Sequence, residues 1–180
     1  MWISLVGFNA AGKSSLARRL ALLTDRRAID LDPLVEERAG RSLPEIFTEQ
    51  GPDSFRELEL AALRELPAVA PLVIATGGGT VEQPDSVALL RERSLVIWID
   101  APWPVLRRRL APAPGEEASP LWRHLGEETL LALYARRRPL YAAAARVRLE
   151  TGQLGINALV RRLLGRSSQL RATAPPADAP

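Results

Sequence analysis

The sequence predicts an α/β fold in which a five-stranded parallel sheet lies between two layers of helices. Short apolar runs, typical of buried strands, alternate along the chain with segments whose apolar residues recur at helical spacing. Parallel strands joined by helical crossovers have both faces of their sheet covered, so this alternation favours a three-layer sandwich. The 180 residues are also about the length of one domain.

The first elements are a strand, a helix and a second strand. Residues 1–6 form an apolar run that ends at Gly7, which indicates a buried strand. Leucines at helical spacing predict a helix over residues 14–24, and residues 27–30 predict the second strand. We expect Pro33 to open a short helix after it, because proline suits the first turn.

The middle of the chain predicts two further helices and the third strand. Ser42, with Glu45 three residues later, forms a capping-box pattern that indicates the start of a helix. The turn-forming residues 51–53 separate it from a second helical pattern over residues 55–66. Residues 72–76 then read as a buried strand that runs into a glycine loop.

Helices and the clearest strand follow. We predict helices over residues 84–93 and 103–110, with a strand over residues 95–99 between them. A longer helix is expected over residues 127–145, and Pro139 inside it predicts a kink or a new segment.

The last part of the chain completes the sheet. Residues 111–120 are too rich in proline and glycine for regular structure, and they suggest a mobile loop of functional length. The alternating residues 146–150 predict the fifth strand, and residues 156–164 predict the last helix. Residues 167–180 have the composition of a disordered tail, so we place the domain at residues 1–166.

The composition excludes several kinds of site and partner. The chain has no cysteine and one histidine, His124, which rules out thiolate metal sites and a histidine-rich centre. Basic residues outnumber acidic ones by 24 to 21 without a sustained basic block, so no nucleic-acid partner is expected. No apolar run approaches the ~20 residues of a membrane span. We therefore expect a cytoplasmic monomer that does not bind membranes. Of the basic residues, 23 are arginine and only Lys13 is lysine.

A phosphate-binding pattern lies between the first strand and the first helix. Residues 7–14 read GFNAAGKS and match G-x-x-x-x-G-K-[ST] in the context that this motif requires. Backbone N–H groups and the helix N-terminus would bind phosphate oxygens, Lys13 would reach the β- and γ-phosphates, and Ser14 would bind Mg²⁺. A plain turn with a capping serine is the alternative. Ala10 stands where many such loops have glycine, so a positive φ is less available there.

An acidic pair follows the second strand. If the backbone stays extended, Asp30 and Asp32 present both carboxylates on one side. One can hold Mg²⁺ while the other accepts a proton from an attacking hydroxyl. The alternative is that Asp32 only caps the next helix, since Pro33 follows it.

Taken in order, five motifs resemble those of the shikimate kinases. The resemblance implies the phosphate-loop fold of the nucleoside-monophosphate-kinase type. It also implies transfer of the γ-phosphoryl group of ATP to the 3-hydroxyl of shikimate, with Mg²⁺ as cofactor. The motifs are residues 7–15, the Asp30–Asp32 pair, the pattern I-F-x-x-x-G-x-x-x-F-R-x-x-E over residues 46–59, the glycine loop of residues 77–79, and R-R-P-L-Y over residues 137–141.

The same resemblance implies a role for each matching residue. It makes Lys13 and Asp32 the catalytic residues, with Asp32 as base, and assigns the metal to Ser14 and Asp30. ATP binding falls to Gly7, Asn9, Ala10, Ala11, Gly12, Lys13, Ser14, Ser15 and Arg109. Shikimate binding falls to Asp32, Arg56, Gly77, Gly78, Gly79 and Arg137.

Alternatives stay open for the acceptor residues. Arg56 and Arg137 have the planar guanidinium groups that bind a carboxylate best, but ion pairs with neighbours such as Glu57 and Glu59 would also explain them. Glu59 is expected to orient Arg56. The glycines of residues 77–79 would bring backbone N–H groups to the substrate, or would only turn the chain.

The sequence departs from the family in the lid, which we place at residues 111–126. Ser119 stands where the family has an arginine that reaches the transferring phosphate, and serine cannot supply that charge. Arg123 or Arg109 would have to substitute. Two other functions therefore remain open: a kinase for another polyhydroxy acid, and a nucleotide-binding regulatory module of low activity.

Overall fold

Five parallel strands form the centre of the fold. The computed structural model describes residues 1–112, 119–152 and 155–166. The strands are β1 (Trp2–Val6), β2 (Arg27–Asp30), β3 (Leu72–Ala75), β4 (Ser94–Asp100) and β5 (Val147–Glu150). They lie in the order β2-β3-β1-β4-β5, and every neighbouring pair is parallel. The predicted sheet is confirmed, and each strand ends within about one residue of its predicted bounds.

Helices cover the sheet. They are α1 (Lys13–Leu23), α2 (Leu31–Ala39), α3 (Leu43–Glu65), α4 (Pro84–Arg93), α5 (Trp103–Leu110), α6 (Pro120–Ala144) and α7 (Ile156–Arg166), with a 3₁₀ turn at Thr80–Glu82. Helix α1 packs against the first three strands and against α7, while α4 and α6 pack against β4. Over the described residues, none of the helices has the length and apolar character of a membrane span.

The three central strands explain why the sequence pattern was clear. Every residue of β1, β3 and β4 is buried, including Trp2, Ile74 and Ile97. A strand covered on both faces needs apolar residues at every position, so it reads as a continuous apolar run. The two edge strands, β2 and β5, are only partly buried.

The loop between β1 and α1 contains backbone conformations that favour glycine. Gly7 has φ 147°, and a Cβ there would lie 2.6 Å from the carbonyl oxygen of Ile99. Ala10 has φ 61°, a left-handed conformation that costs an alanine about 1 kcal/mol. Ala10 therefore adopts the positive φ that was expected to be less available to it.

The structure corrects the expected start of α2. This helix begins at Leu31, so Asp32 lies in its first turn and Pro33 does not open it. Asp30 is the last residue of β2 and the N-cap residue of α2, and its side chain accepts no capping hydrogen bond. The assumed extended backbone between the two aspartates is wrong, and neither carboxylate caps the helix.

Two long helices contain a break at a glycine. In α3 the break is at Gly51, with φ 78° and ψ 175°, between the two predicted helical segments. The capping box at its start is confirmed, since the Ser42 N–H donates to Glu45 Oε2 at 2.8 Å. In α6 the break is at Gly126, directly before the predicted helix start at residue 127, and Pro139 lies inside the helix without starting a new segment. Ala135, whose carbonyl loses its helical partner to Pro139, is exposed, so water can bond it there.

The predicted lid and tail are described only in part. Residues 113–118 of the lid and residues 167–180 of the tail lie outside the described residues. The described C-terminal part of the lid forms the first turns of α6.

Candidate active site

The predicted site residues come together at one edge of the sheet. Because the strands are parallel, their carboxyl ends meet there, with Asp30 at the end of β2 and Gly77 just after β3. The loop after β1 brings Lys13 to the same edge. The charges of Asp30, Asp32 and Arg137 all act on Lys13, so these groups lie close together.

A cavity of about 420 Å³ lies over the loop between β1 and α1. Arg109 from α5 also lines it, and its Nη1 donates to the carbonyl oxygen of Ala10 at 2.9 Å. Gly7 packs beneath the loop, outside the cavity lining. The other residues assigned to ATP line the cavity, together with four more: Asn9, Ala10, Ala11, Gly12, Lys13, Ser14, Ser15 and Arg109, with Asp32, Thr76, Thr151 and Leu159.

Lys13 is held inside this loop. Its side chain is buried, and its Nζ donates to the carbonyl oxygens of Gly7 at 2.9 Å and of Phe8 at 3.0 Å. Burial lowers the pKa of Lys13 to about 8, although the charges of Asp32 and Asp30 act to raise it. The ammonium group is therefore shielded from water, and the two nearby carboxylates offset only part of that loss. A bound polyphosphate would stabilise its charge further.

Of the acidic pair, Asp32 lines the cavity and Asp30 lies close to it. Burial raises the pKa of Asp32, Lys13 acts against this shift, and the charge of Asp30 adds to it. Ser14 and the two aspartates offer only oxygen donors, which is the chemistry that Mg²⁺ prefers. Within the described ranges, no three His, Cys, Asp or Glu side chains form a cluster able to hold a metal. The donor set fits an ion that takes few ligands from the protein and the rest from phosphates and water.

Arg56 lies on α3 in a buried ion pair. Its Nη1 donates to Glu59, which is fully buried and also accepts a hydrogen bond from Thr80 Oγ1 at 2.7 Å. Burial lowers the pKa of Arg56 to about 10, and the positive charge of Arg137 adds to this shift. This pair is what the expected orienting role of Glu59 requires, and it is also the ion pair that the alternative explanation of Arg56 predicts, so the role of Glu59 stays a prediction.

Arg137, the second member of what we call the arginine pair (Arg56 and Arg137), comes from α6. It is 8% exposed, lies over the ring of Phe8, and donates from Nη2 to Glu82 Oε2 at 2.7 Å. Its Nε has no hydrogen-bond partner among the described residues. Two guanidinium groups from different helices thus lie close to each other and to Asp32, and Arg137 keeps a donor unused.

The glycine loop of residues 77–79 is the buried wall between these groups. A Cβ on Gly77 would collide with Glu59 and lie 2.9 Å from Asp32 Oδ1, and one on Gly79 would collide with Arg56. A Cβ on Gly78 would collide with the Asn9 side chain. The glycines therefore allow the loop to approach charged side chains, which a mere turn would not require.

The lid serine has a local structural role. Ser119 is the N-cap residue of α6, and its side chain accepts a hydrogen bond from the Trp122 N–H at 3.2 Å. Arg123 lies one turn later and is exposed, as is His124. That Arg109 or Arg123 replaces the lid arginine stays a prediction. Of the two, Arg109 lies at the phosphate loop.

Some residues of the site were not predicted from the sequence. Glu82 bonds both Arg136 and Arg137, and Tyr141 donates from its hydroxyl to the carbonyl oxygen of Gly78. Tyr141 does belong to the R-R-P-L-Y motif, and that motif was the sign by which it could have been found as a site residue. Thr76 follows β3 directly, so its place at a strand end was a usable sign for a cavity residue.

Comparison with known proteins identifies the family. A family model described as shikimate kinase matches residues 9–167. The shikimate kinase of Synechococcus elongatus is 39% identical over 151 residues, which are 83% of this chain and 77% of that protein. That of Chromohalobacter salexigens is 37% identical over 169 residues, 93% of this chain and 92% of that protein. The structure of shikimate kinase from Acinetobacter baumannii in complex with shikimate matches with a TM-score of 0.82 and 33% identity, covering 91% of this chain and 90% of that one. Because these matches span most of the chain, the chain belongs to the shikimate kinase family.

Proposed function

We propose that this protein transfers the γ-phosphoryl group of ATP to the 3-hydroxyl of shikimate. The observation that carries the proposal is the arginine pair close to Asp32, which itself lines the phosphate-loop cavity. The site thus offers a place for a polyphosphate, a place for a carboxylate, and a carboxylate base near both. Membership of the shikimate kinase family supports shikimate as the molecule that supplies the acceptor hydroxyl.

The nucleotide end is proposed to use the loop before α1. Its backbone N–H groups and the N-terminus of α1 would bind the phosphate oxygens of ATP. Lys13 exchanges its two carbonyl partners, in Gly7 and Phe8, for phosphate oxygens, which restores the pKa of its ammonium group. Arg109, already fixed to this loop, would lie against the nucleotide.

The metal is proposed to be Mg²⁺, held by Ser14 and Asp30. When bound, it would neutralise charge on the transferring phosphates. The small number of oxygen donors fits this ion, as described for the acidic pair. Lys13 supplies positive charge to the same phosphates from the protein side.

The acceptor end is proposed to use the arginine pair, Asp32 and the glycine loop. Guanidinium groups bind a carboxylate through parallel hydrogen bonds, and Arg137 Nη2 already binds a carboxylate oxygen of Glu82. Holding the carboxylate fixes the ring, and so fixes which hydroxyl faces the cavity. The backbone of Gly78 and Gly79 lies beside Asn9 and Arg56, and it is proposed to contact the acceptor directly.

Asp32 is proposed to accept the proton of the attacking hydroxyl. Burial raises the pKa of Asp32 towards the working range of a general base, and the charge of Lys13 acts against this rise and so favours the ionised form. The reaction is then an in-line displacement at the γ-phosphorus, without a covalent intermediate on the protein. Positioning and charge stabilisation by the chain carry the catalysis.

Further proposals concern the domain, its oligomeric state and location, and the lid. We propose that residues 1–166 act as one kinase domain, monomeric and cytoplasmic, and that residues 111–126 close over the nucleotide. Arg123 or Arg109 would then supply the lid charge that Ser119 does not. Replacing Ser119 with arginine is the direct comparison for that role.

An assay of ADP release separates the candidate functions. Purified protein is given ATP and Mg²⁺ with shikimate, with gluconate or without acceptor, and nucleotide binding is measured in parallel. We expect release that depends on shikimate. Release that depends only on gluconate would favour a kinase for another polyhydroxy acid. Nucleotide binding without any acceptor-dependent release would favour the regulatory module that the substitution at Ser119 leaves open.

A further inference from the structure

Glu82 places a carboxylate of the protein itself at the arginine pair. Its Oε2 accepts a hydrogen bond from Arg137 Nη2 at 2.7 Å, and its Oε1 accepts one from Arg136 Nη2 at 2.6 Å. Glu82 Oε2 and the Arg56 guanidinium both lie within 2.7 Å of the point that a Cβ on Gly79 would take. A carboxylate thus already lies beside both guanidinium groups to which the acceptor carboxylate is assigned.

We propose that Glu82 is an internal competitor that sets the affinity for the acceptor. In this exchange the acceptor carboxylate takes the place of Glu82 on Arg137. The inference rests on the proposed function, because it assumes an acceptor carboxylate at the arginine pair. It concerns binding and no bond is made or broken in it.

The two carboxylates at the arginine pair differ in their freedom to leave. Glu59, the partner of Arg56, is fully buried and bonded to Thr80, so it stays in place. The Glu82 side chain is 23% exposed, and its outer partner Arg136 is 68% exposed. Glu82 can therefore leave Arg137 and keep an ion pair with Arg136, so the exchange gives up one of its two pairs.

The charges explain why an anion has to replace Glu82. Burial acts to raise the pKa of Glu82, but the hydrogen bond from Arg137 and the charges of Arg137, Arg136 and Arg56 together hold that pKa below its usual range. Glu82 is thus an anion that neutralises Arg137. A buried guanidinium left without a carboxylate is costly, so Glu82 leaves readily only when another carboxylate arrives.

The first test is the acceptor KM of Glu82→Gln. Loss of the competing charge is expected to lower the KM for shikimate by about two- to fivefold, the scale of one partly exposed ion pair. The kcat and the KM for ATP should stay within about twofold, because Glu82 does not line the nucleotide cavity. Glu92→Gln, which removes the same charge from an exposed position on α4, is the matched control and should leave all three constants unchanged.

A second variant separates exchange from simple repulsion. Glu82→Asp keeps the charge but shortens the side chain by one methylene, so the carboxylate reaches Arg137 poorly. Exchange predicts a lower KM for Glu82→Asp as well, whereas long-range repulsion predicts no change. Arg136→Gln removes the outer partner and is expected to raise the KM, but only while Glu82 is present. In the Glu82→Gln background the same change should have no effect.

The outcomes separate this inference from the proposed function. An unchanged or higher shikimate KM in Glu82→Gln, in a protein with the wild-type melting temperature, would overturn the inference and leave Glu82 as a residue that only orients Arg137. A wild-type protein that binds shikimate in calorimetry without turnover would refute the proposed function. The ratio of the two dissociation constants, wild type to Glu82→Gln, would still test the exchange. Absence of shikimate binding would refute both.

Discussion

Replacing Arg56 with lysine tests whether a guanidinium fork binds the acceptor. The two ends of this fork have different surroundings. Nη1 bonds the buried Glu59, while Nη2 lies next to Gly79, on the side where the acceptor is proposed to bind. Lysine keeps the positive charge, but its single ammonium group cannot lie at both positions. We expect it to pair with Glu59, because that carboxylate is fully buried.

The expected rise in the shikimate KM follows from the different surroundings of these two nitrogens. One charge-assisted hydrogen bond contributes about 1.5–3 kcal/mol, so losing the outer one should raise the shikimate KM by about 10- to 150-fold. The retained pair with Glu59 should keep the melting temperature close to that of the wild type. Arg56→Ala, in contrast, leaves Glu59 unpaired in the interior, which should cost about 3–5 kcal/mol of folding stability and obscure the kinetics.

The assay is steady-state ADP release with shikimate and ATP varied separately. Arg64→Lys is the matched control, because it makes the same change on the same helix in an exposed pair with Asp85. A shikimate KM of Arg56→Lys within about twofold of the wild type would remove Arg56 from the acceptor site, since even one charge-assisted bond exceeds that change. An equal rise in the ATP KM would mean that the variant disturbs the whole site instead.

The other predictions concern the base, the lysine and the glycine loop. Asp32→Asn should lower kcat by about 10²- to 10⁴-fold while ATP still binds, and a kcat near that of the wild type would exclude Asp32 as base. Because the pKa of Lys13 is about 8 in the free protein, kcat/KM for ATP should fall above about pH 8 as its ammonium group loses the proton. A profile that stays flat well above that pH would contradict this. Gly78→Ala should lower the free energy of unfolding by about 1–3 kcal/mol, since its Cβ overlaps the Asn9 side chain. Gly155→Ala, which meets nothing within 4 Å, is the thermal-melting control, and equal melting of both variants would refute the close contact.

Local pattern was enough to predict the sheet and the phosphate loop. The central strands are buried on both faces, so nearly all their residues had to be apolar. The loop before Lys13 is bounded by Gly7 and Gly12, which both have positive φ. Both signals lie within a few consecutive residues, which is why one sequence reveals them.

Helix boundaries and side-chain partners depend on more distant contacts. The start of α2 could not be read from Pro33, because proline is tolerated at any position of a first turn. The pairing of Glu82 with Arg137 joins residues 55 positions apart, and nothing in their local sequence predicts that these two charges meet. The arginine pair itself was predicted through the family motif, since charge alone favoured ordinary ion pairs.

The lone lysine gives the molecule a chemical property that its many arginines do not share. Lys13 is the only ε-amine in the sequence, and its lowered pKa provides more neutral amine near pH 8 than an ordinary lysine has. Amine-directed reagents therefore have a single side-chain target, and it lines the cavity over the phosphate loop. A polyphosphate bound there as proposed would both cover this amine and keep it protonated, so the labelling rate of this protein would report directly on occupancy of its own cavity.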